Sequence, residues 1–87
     1  MLTKKLSTDF KKFTDIDCVG GVINDNIAIS ISDKLNADNL FKIQHFIRVK
    51  FSEFDDDSYL EPKLYPYSNN SLIIEFPLSL IKKLYHV

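Results

Sequence analysis

The stretch Asn36–Phe54, NADNLFKIQHFIRVKFSEF, sets the terms for the rest of the chain. Leu40, Ile43, Ile47, Phe51 and Phe54 recur at spacings of three and four, which stacks them on one face of an α-helix. Phe46 widens that stripe, while Lys42, His45, Ser52 and Glu53 fall opposite it. Asn36 is placed to accept a bond from an orphan N–H of the first turn, and Asp38 complements the dipole there. Ile47, Val49 and Phe51 also alternate with Arg48, Lys50 and Ser52, as a half-buried strand would. The three-four spacing continues through Phe54, however, so the expectation is one continuous helix.

Around it the chain reads as three helices and two hairpins. Residues 2–14 form an amphipathic helix with Leu2, Leu6, Phe10 and Phe13 on a narrow stripe. Its lysines would suit an anionic membrane surface, but four apolar residues fit docking on a core better. Ile16, Cys18 and Val19–Ile23 lead to Asn24-Asp25-Asn26, residues that tolerate the positive φ of a tight turn. Ile27, Ile29 and Ile31 then alternate with Ala28, Ser30 and Ser32, the pattern of a strand buried on one face. Gly20-Gly21 inside the first strand signals a bulge or a close backbone approach.

After the long helix, Asp55-Asp56-Asp57-Ser58 makes a polar break before an extended segment at 59–67. Ser68-Asn69-Asn70 reads as a turn and Ser71–Phe76 as a strand with Leu72, Ile74 and Phe76 inward. Pro77 ends that strand and suits the start of a terminal helix marked by Leu78, Ile81, Leu84 and Tyr85.

The element order is thus α-ββ-α-ββ-α, an α+β domain of two layers spanning residues 1–87. Its sheet is expected to be four-stranded and antiparallel, in the order 1-2-4-3, with the helices on one face. The prolines place the third strand: Pro62 and Pro66 are four apart, so their missing N–H groups fall on the same side. Only an edge strand tolerates that without losing ladder bonds. Leu60 and Leu64 would face the core, leaving Tyr59, Glu61, Lys63, Tyr65 and Tyr67 on the outer face.

Composition narrows the function. No apolar run is long enough to span a membrane, and no secretory signal is evident, so the expected location is cytoplasmic. Cys18 is the one cysteine, which excludes an internal disulfide and a Cys-based metal site. Abundant Phe, Tyr, Ile, Asn and Lys, with few Gly, Ala, Arg and Pro, match AT-rich codon usage and suit a low-GC bacterium, its phages or an AT-rich eukaryote; a phage or mobile-element origin also fits the small size. A net charge of -1 argues against a generic nucleic-acid binder.

No residue pattern marks an active site. Two glycines without a following Lys-Ser/Thr do not make a phosphate loop. An EF-type calcium loop counted from Asp55 needs Gly and Glu where Leu60 and Pro66 stand. His45 and His86 read as surface residues and Cys18 as a small apolar strand residue, so no enzyme, metal or cofactor is expected. The acidic run and the tyrosines stand out instead. Glu53, Asp55, Asp56, Asp57 and Glu61, with Tyr59, Tyr65 and Tyr67, form an expected protein-binding surface. The expected partner is another protein with a basic groove, which the chain would inhibit or regulate. The alternative is a nucleic-acid-binding module using Lys4, Lys5, Lys11, Lys12 and neighbouring aromatics.

Overall fold

The computed structural model describes residues 2–32, 36–52, 62–68 and 70–87. Its elements run α1 (Leu2–Thr14), β1 (Val19–Ile23), β2 (Asn26–Ile31), α2 (Ala37–Phe51), β3 (Lys63–Ser68), β4 (Ser71–Phe76) and α3 (Leu78–Tyr85). The strands form one antiparallel sheet in the order β1-β2-β4-β3. Element order and sheet order are those expected from the sequence.

Local signals explain most boundaries. Asn36 caps α2 as expected, its side-chain oxygen accepting the Asn39 N–H at 2.8 Å. Helical geometry holds through Val49 and Phe51, so the strand alternative over 47–52 fails. The helix nevertheless stops at Phe51, with Ser52 as its C-cap, and Phe54 lies outside the described residues. Pro77 starts α3, its carbonyl accepting N–H groups from Leu80 and Ile81. His86 ends that helix in a left-handed conformation (φ 59°), and His86 and Val87 donate back to Lys83 and Lys82 carbonyls.

The core lies between the sheet and the helices. Ile27, Ile29 and Ile31 of β2 and Leu72, Ile74 and Phe76 of β4 point into it, matching the alternation in the sequence. Leu6 and Phe10 of α1, Ile43, Phe46 and Phe51 of α2, and Leu80 and Ile81 of α3 cover them. Among the helices, α1 is the central one, touching β1, β2, α2 and α3, because it lies along the first hairpin. Two sequence assignments change as a result. Leu40 is exposed rather than buried, since α2 turns Ile43 and Phe46 toward α1 instead. Leu64 pairs with the buried Ile74 but is 41% exposed, because an edge strand has a neighbour on one side only. Leu60 lies outside the described residues.

The glycine pair divides its roles. A Cβ on Gly20 would lie 2.9 Å from the Thr3 carbonyl oxygen, so the close approach is that of α1 to β1. A Cβ on Gly21 would meet nothing within 4 Å, and the β1–β2 register contains no bulge. Gly20→Ala should therefore destabilise by about 1–3 kcal/mol, the usual cost of overpacking. Gly21→Ala should leave stability unchanged or raise it by up to about 1 kcal/mol. Urea titration of both variants checks the contrast; equal midpoints would place α1 further from β1. No helix among the described residues is long and apolar enough to cross a membrane.

Candidate protein-binding surface

Most of the acidic surface expected from the sequence lies outside the described residues: Glu53, Asp55, Asp56, Asp57, Tyr59 and Glu61. Tyr67 lies within β3. Tyr65 can be placed in full. It stands opposite Ile73 on the sheet face away from the helices and is 40% exposed. Its hydroxyl is engaged, hydrogen-bonded to Glu75.

Glu75 sits at the centre of a satisfied network. The Asn26 Nδ2 donates to its Oε2 at 2.7 Å, and the Asn26 Oδ1 accepts the Leu78 N–H at 3.0 Å. Those bonds join β2, β4 and the start of α3, and Tyr65 adds β3. The Asn26 amide above all, then the Tyr65 hydroxyl and the charge of Lys63, hold the Glu75 carboxyl below its ordinary value of 4.5. Asn26 thus uses both ends of its amide, and the Glu75 carboxylate is held from β2 and from β3.

The other titratable candidates are similarly occupied. The Cys18 thiol donates to the Ser7 carbonyl at 3.5 Å, and burial pushes its pKa up, away from the reactive thiolate. Lys11 lies 2.6 Å from Asp17 and 3.7 Å from Asp15. Lys4 and Lys5 line a cleft of about 490 Å³ between α1 and α3 with Thr8, Asp9 and Tyr85. There the Tyr85 hydroxyl donates to Asp9, and the Lys5 ammonium lies 5.8 Å from the Tyr85 ring centre. Burial first, then Asp9, drives the Tyr85 pKa up. Of the α1 lysines, Lys11 is thus paired with carboxylates, and Lys4 and Lys5 share their cleft with Asp9. Among the described residues, no three His, Cys, Asp or Glu side chains converge as a metal site would require.

A different surface emerges on α2. Phe41, His45 and Val49 are spaced by four and turn away from Ile43 and Phe46, so they form an exposed stripe along the helix. Phe41 is 66% exposed and stacks on His45, their rings 6° from parallel and 6.0 Å apart. Phe13, from the last turn of α1, reaches across to His45 and Phe46, with ring centres 5.5 Å from each. Leu40, also partly exposed, lies on the other side of the helix, in line with Ile47 and Phe51. Sequence reasoning assigned Phe41 to neither face and used Val49 only for a strand. The 41-45-49 spacing opposite the buried stripe was the signal available.

No family model, no curated protein and no solved structure matches this chain. Its chemistry has to be read from these side chains alone. Aromatic rings face solvent along α2, and the Glu75, Cys18, Lys11 and Tyr85 side chains each have a partner within the chain.

Proposed function

We propose that the chain is a non-catalytic module that binds another protein, as an inhibitor or regulator of it. The supporting observation is the exposed Phe41–His45 stack continued by Phe13 and Val49. Exposed clusters of aromatic and apolar side chains characterise interaction surfaces, where large rigid rings serve as anchors. The acidic and tyrosine-bearing region belongs to the same proposal. Glu53, Asp55, Asp56 and Asp57 follow α2 directly in the chain, and their charge suits a partner with a basic groove beside its apolar contact.

The test begins with capture of a partner from extract of the native host, followed by kinetics with the purified pair. Phe41→Ala should speed dissociation and weaken binding by about tenfold or more, as loss of a packed anchor does. Replacing Asp55, Asp56 and Asp57 with Asn should slow association, most strongly at low salt. Folding stability should change by less than about 0.5 kcal/mol in the Phe41→Ala variant, because that ring is mainly in solvent. Partner binding indifferent to both changes would overturn the proposal. Tight binding of labelled RNA that collapses as salt rises would favour the lysines of α1 instead.

A further inference from the structure

The two edges of the sheet are built differently. β3 contains Pro66, follows Pro62, and slips register between Pro66 and Ser68. Prolines and bulges at an edge discourage another chain from pairing there. β1 forms the opposite edge with the sequence VGGVI, which has no proline, no charged side chain and a regular register against β2.

The hairpin determines which backbone groups of β1 face outward. Asn24 (φ 52°) and Asp25 (φ 65°) are both left-handed and link Ile23 to Asn26, the geometry of a type I′ turn. The residues closing such a turn exchange both backbone hydrogen bonds, and bonded pairs then alternate along the ladder. Bonded pairs are therefore Ile23 with Asn26, Gly21 with Ala28, and Val19 with Ser30. Gly20 and Val22 turn their N–H and C=O groups away from β2, where no other described element bonds to them. Val19 is 70% exposed on one face of this edge and Val22 is 63% exposed on the other. Open space at Gly21 leaves a gap between Val19 and Ile23 that a β-branched side chain would fill.

Charge selects the occupant. Asp15 and Asp17 precede the strand with nearly full exposure, Asp25 follows it, and Lys11 pairs with the first two. A second copy aligned antiparallel, with its Val22 opposite Gly20, would set Asp17 against Asp25 at both ends. Like charges placed directly opposite destabilise strand pairing. A strand with basic ends meets the reverse situation. We propose that the open edge of β1 binds an extended peptide with apolar or β-branched residues at its centre and Lys or Arg at both ends. The peptide adds as a fifth strand, its backbone supplying affinity and its ends supplying selectivity. This edge is separate from the Phe41 surface.

The probe is a labelled peptide, Lys-Val-Thr-Val-Thr-Val-Lys, compared with its counterpart carrying Glu at both ends. Each is titrated against the full chain at low and high salt. Amide exchange is followed at Gly20, Val22 and the interior residue Ile29. The lysine-ended peptide should bind at least about tenfold tighter than the other at low salt, and lose that advantage at high salt. Binding should slow exchange at Gly20 and Val22. Replacing Asp17 and Asp25 together with Asn should remove most of the selectivity, since Asn also accepts the left-handed conformation at position 25. Val22→Pro should abolish binding, because it removes an outward donor while the β1–β2 bonds remain; unchanged protection at Ile29 shows that the fold is retained. Phe41→Ala should leave peptide binding intact, which separates this edge from the proposed partner surface. Any of four results would overturn the proposal: equal binding of both peptides, binding without protection at Gly20 and Val22, no binding of either, or concentration-dependent protection of the edge without peptide. The last would make a second copy the occupant.

Discussion

Replacing Phe46 with alanine should cost about 3–5 kcal/mol of folding stability, the range for truncating a fully buried aromatic ring. The ring is fully buried and meets three other aromatics, with centres 5.0 Å from Phe10, 5.5 Å from Phe13 and 6.5 Å from Phe51. All three contacts are edge-on, the arrangement that the ring quadrupole favours, so truncation loses more than buried area. The hole would open where α1 crosses α2, and α1 also packs on the sheet and α3, leaving little freedom to collapse into it. Phe41→Ala on the same helix is the control, with an expected change below about 0.5 kcal/mol. Denaturant titration of the two variants decides the matter. Similar losses in both would mean that the buried and exposed faces of α2 are wrongly assigned.

Asn26 should prove the most consequential polar residue, because both ends of one amide are in use. Pro77 has no side chain with which to cap α3, and the Asn26 Oδ1 accepts the Leu78 N–H in its place. Asn26→Ala should lose about 1 kcal/mol from that cap alone. It also removes the Asn26 donor from the Glu75 carboxylate, which is left with the Tyr65 hydroxyl and the charge of Lys63. Asn26→Asp keeps the acceptor toward Leu78 but sets a second carboxylate against the first, so it should be the worse variant at neutral pH. The signs of the pH dependence then differ. In the wild type Glu75 titrates below its ordinary value of 4.5, so its stabilisation is present above that value and is lost as pH falls through the depressed folded pKa. In Asn26→Asp, two facing carboxylates raise the folded pKa of one, and protonation relieves the repulsion. The deficit of this variant relative to wild type should therefore shrink as pH falls from 7 toward 4.5. Stability curves at the two pH values test it; a deficit that grows on acidification would mean that Asn26 and Glu75 are not in contact.

The outer face shows why this network was hidden in the sequence. Glu75 alternates with Ile74 and Phe76, and such a residue reads as solvent-facing. It does point away from the helices, but the chain places Asn26 and Tyr65, distant from it in sequence, against its two sides. Alternation reports which face a residue occupies. It carries no information about which neighbours close over that face. The same limit applies to Phe41, whose exposure depends on the side of α2 that α1 covers.

What the sequence determined by itself was the set of elements and their neighbours in the sheet. Periodicity, the Asn36 cap, the Asn24–Asp25 turn and the prolines are local backbone preferences, and each acts within a few residues. Sheet order followed because an edge position was the one place where Pro62 and Pro66 cost nothing. Tertiary packing alone decided that α1 lies at the centre and that Gly20 must lack a side chain beneath Thr3. It also left Phe41 outside the core and gave Glu75 its partners. Those outcomes depend on contacts between residues far apart in the chain. Burial and hydrogen bonding act across space, and no spacing along one segment encodes them.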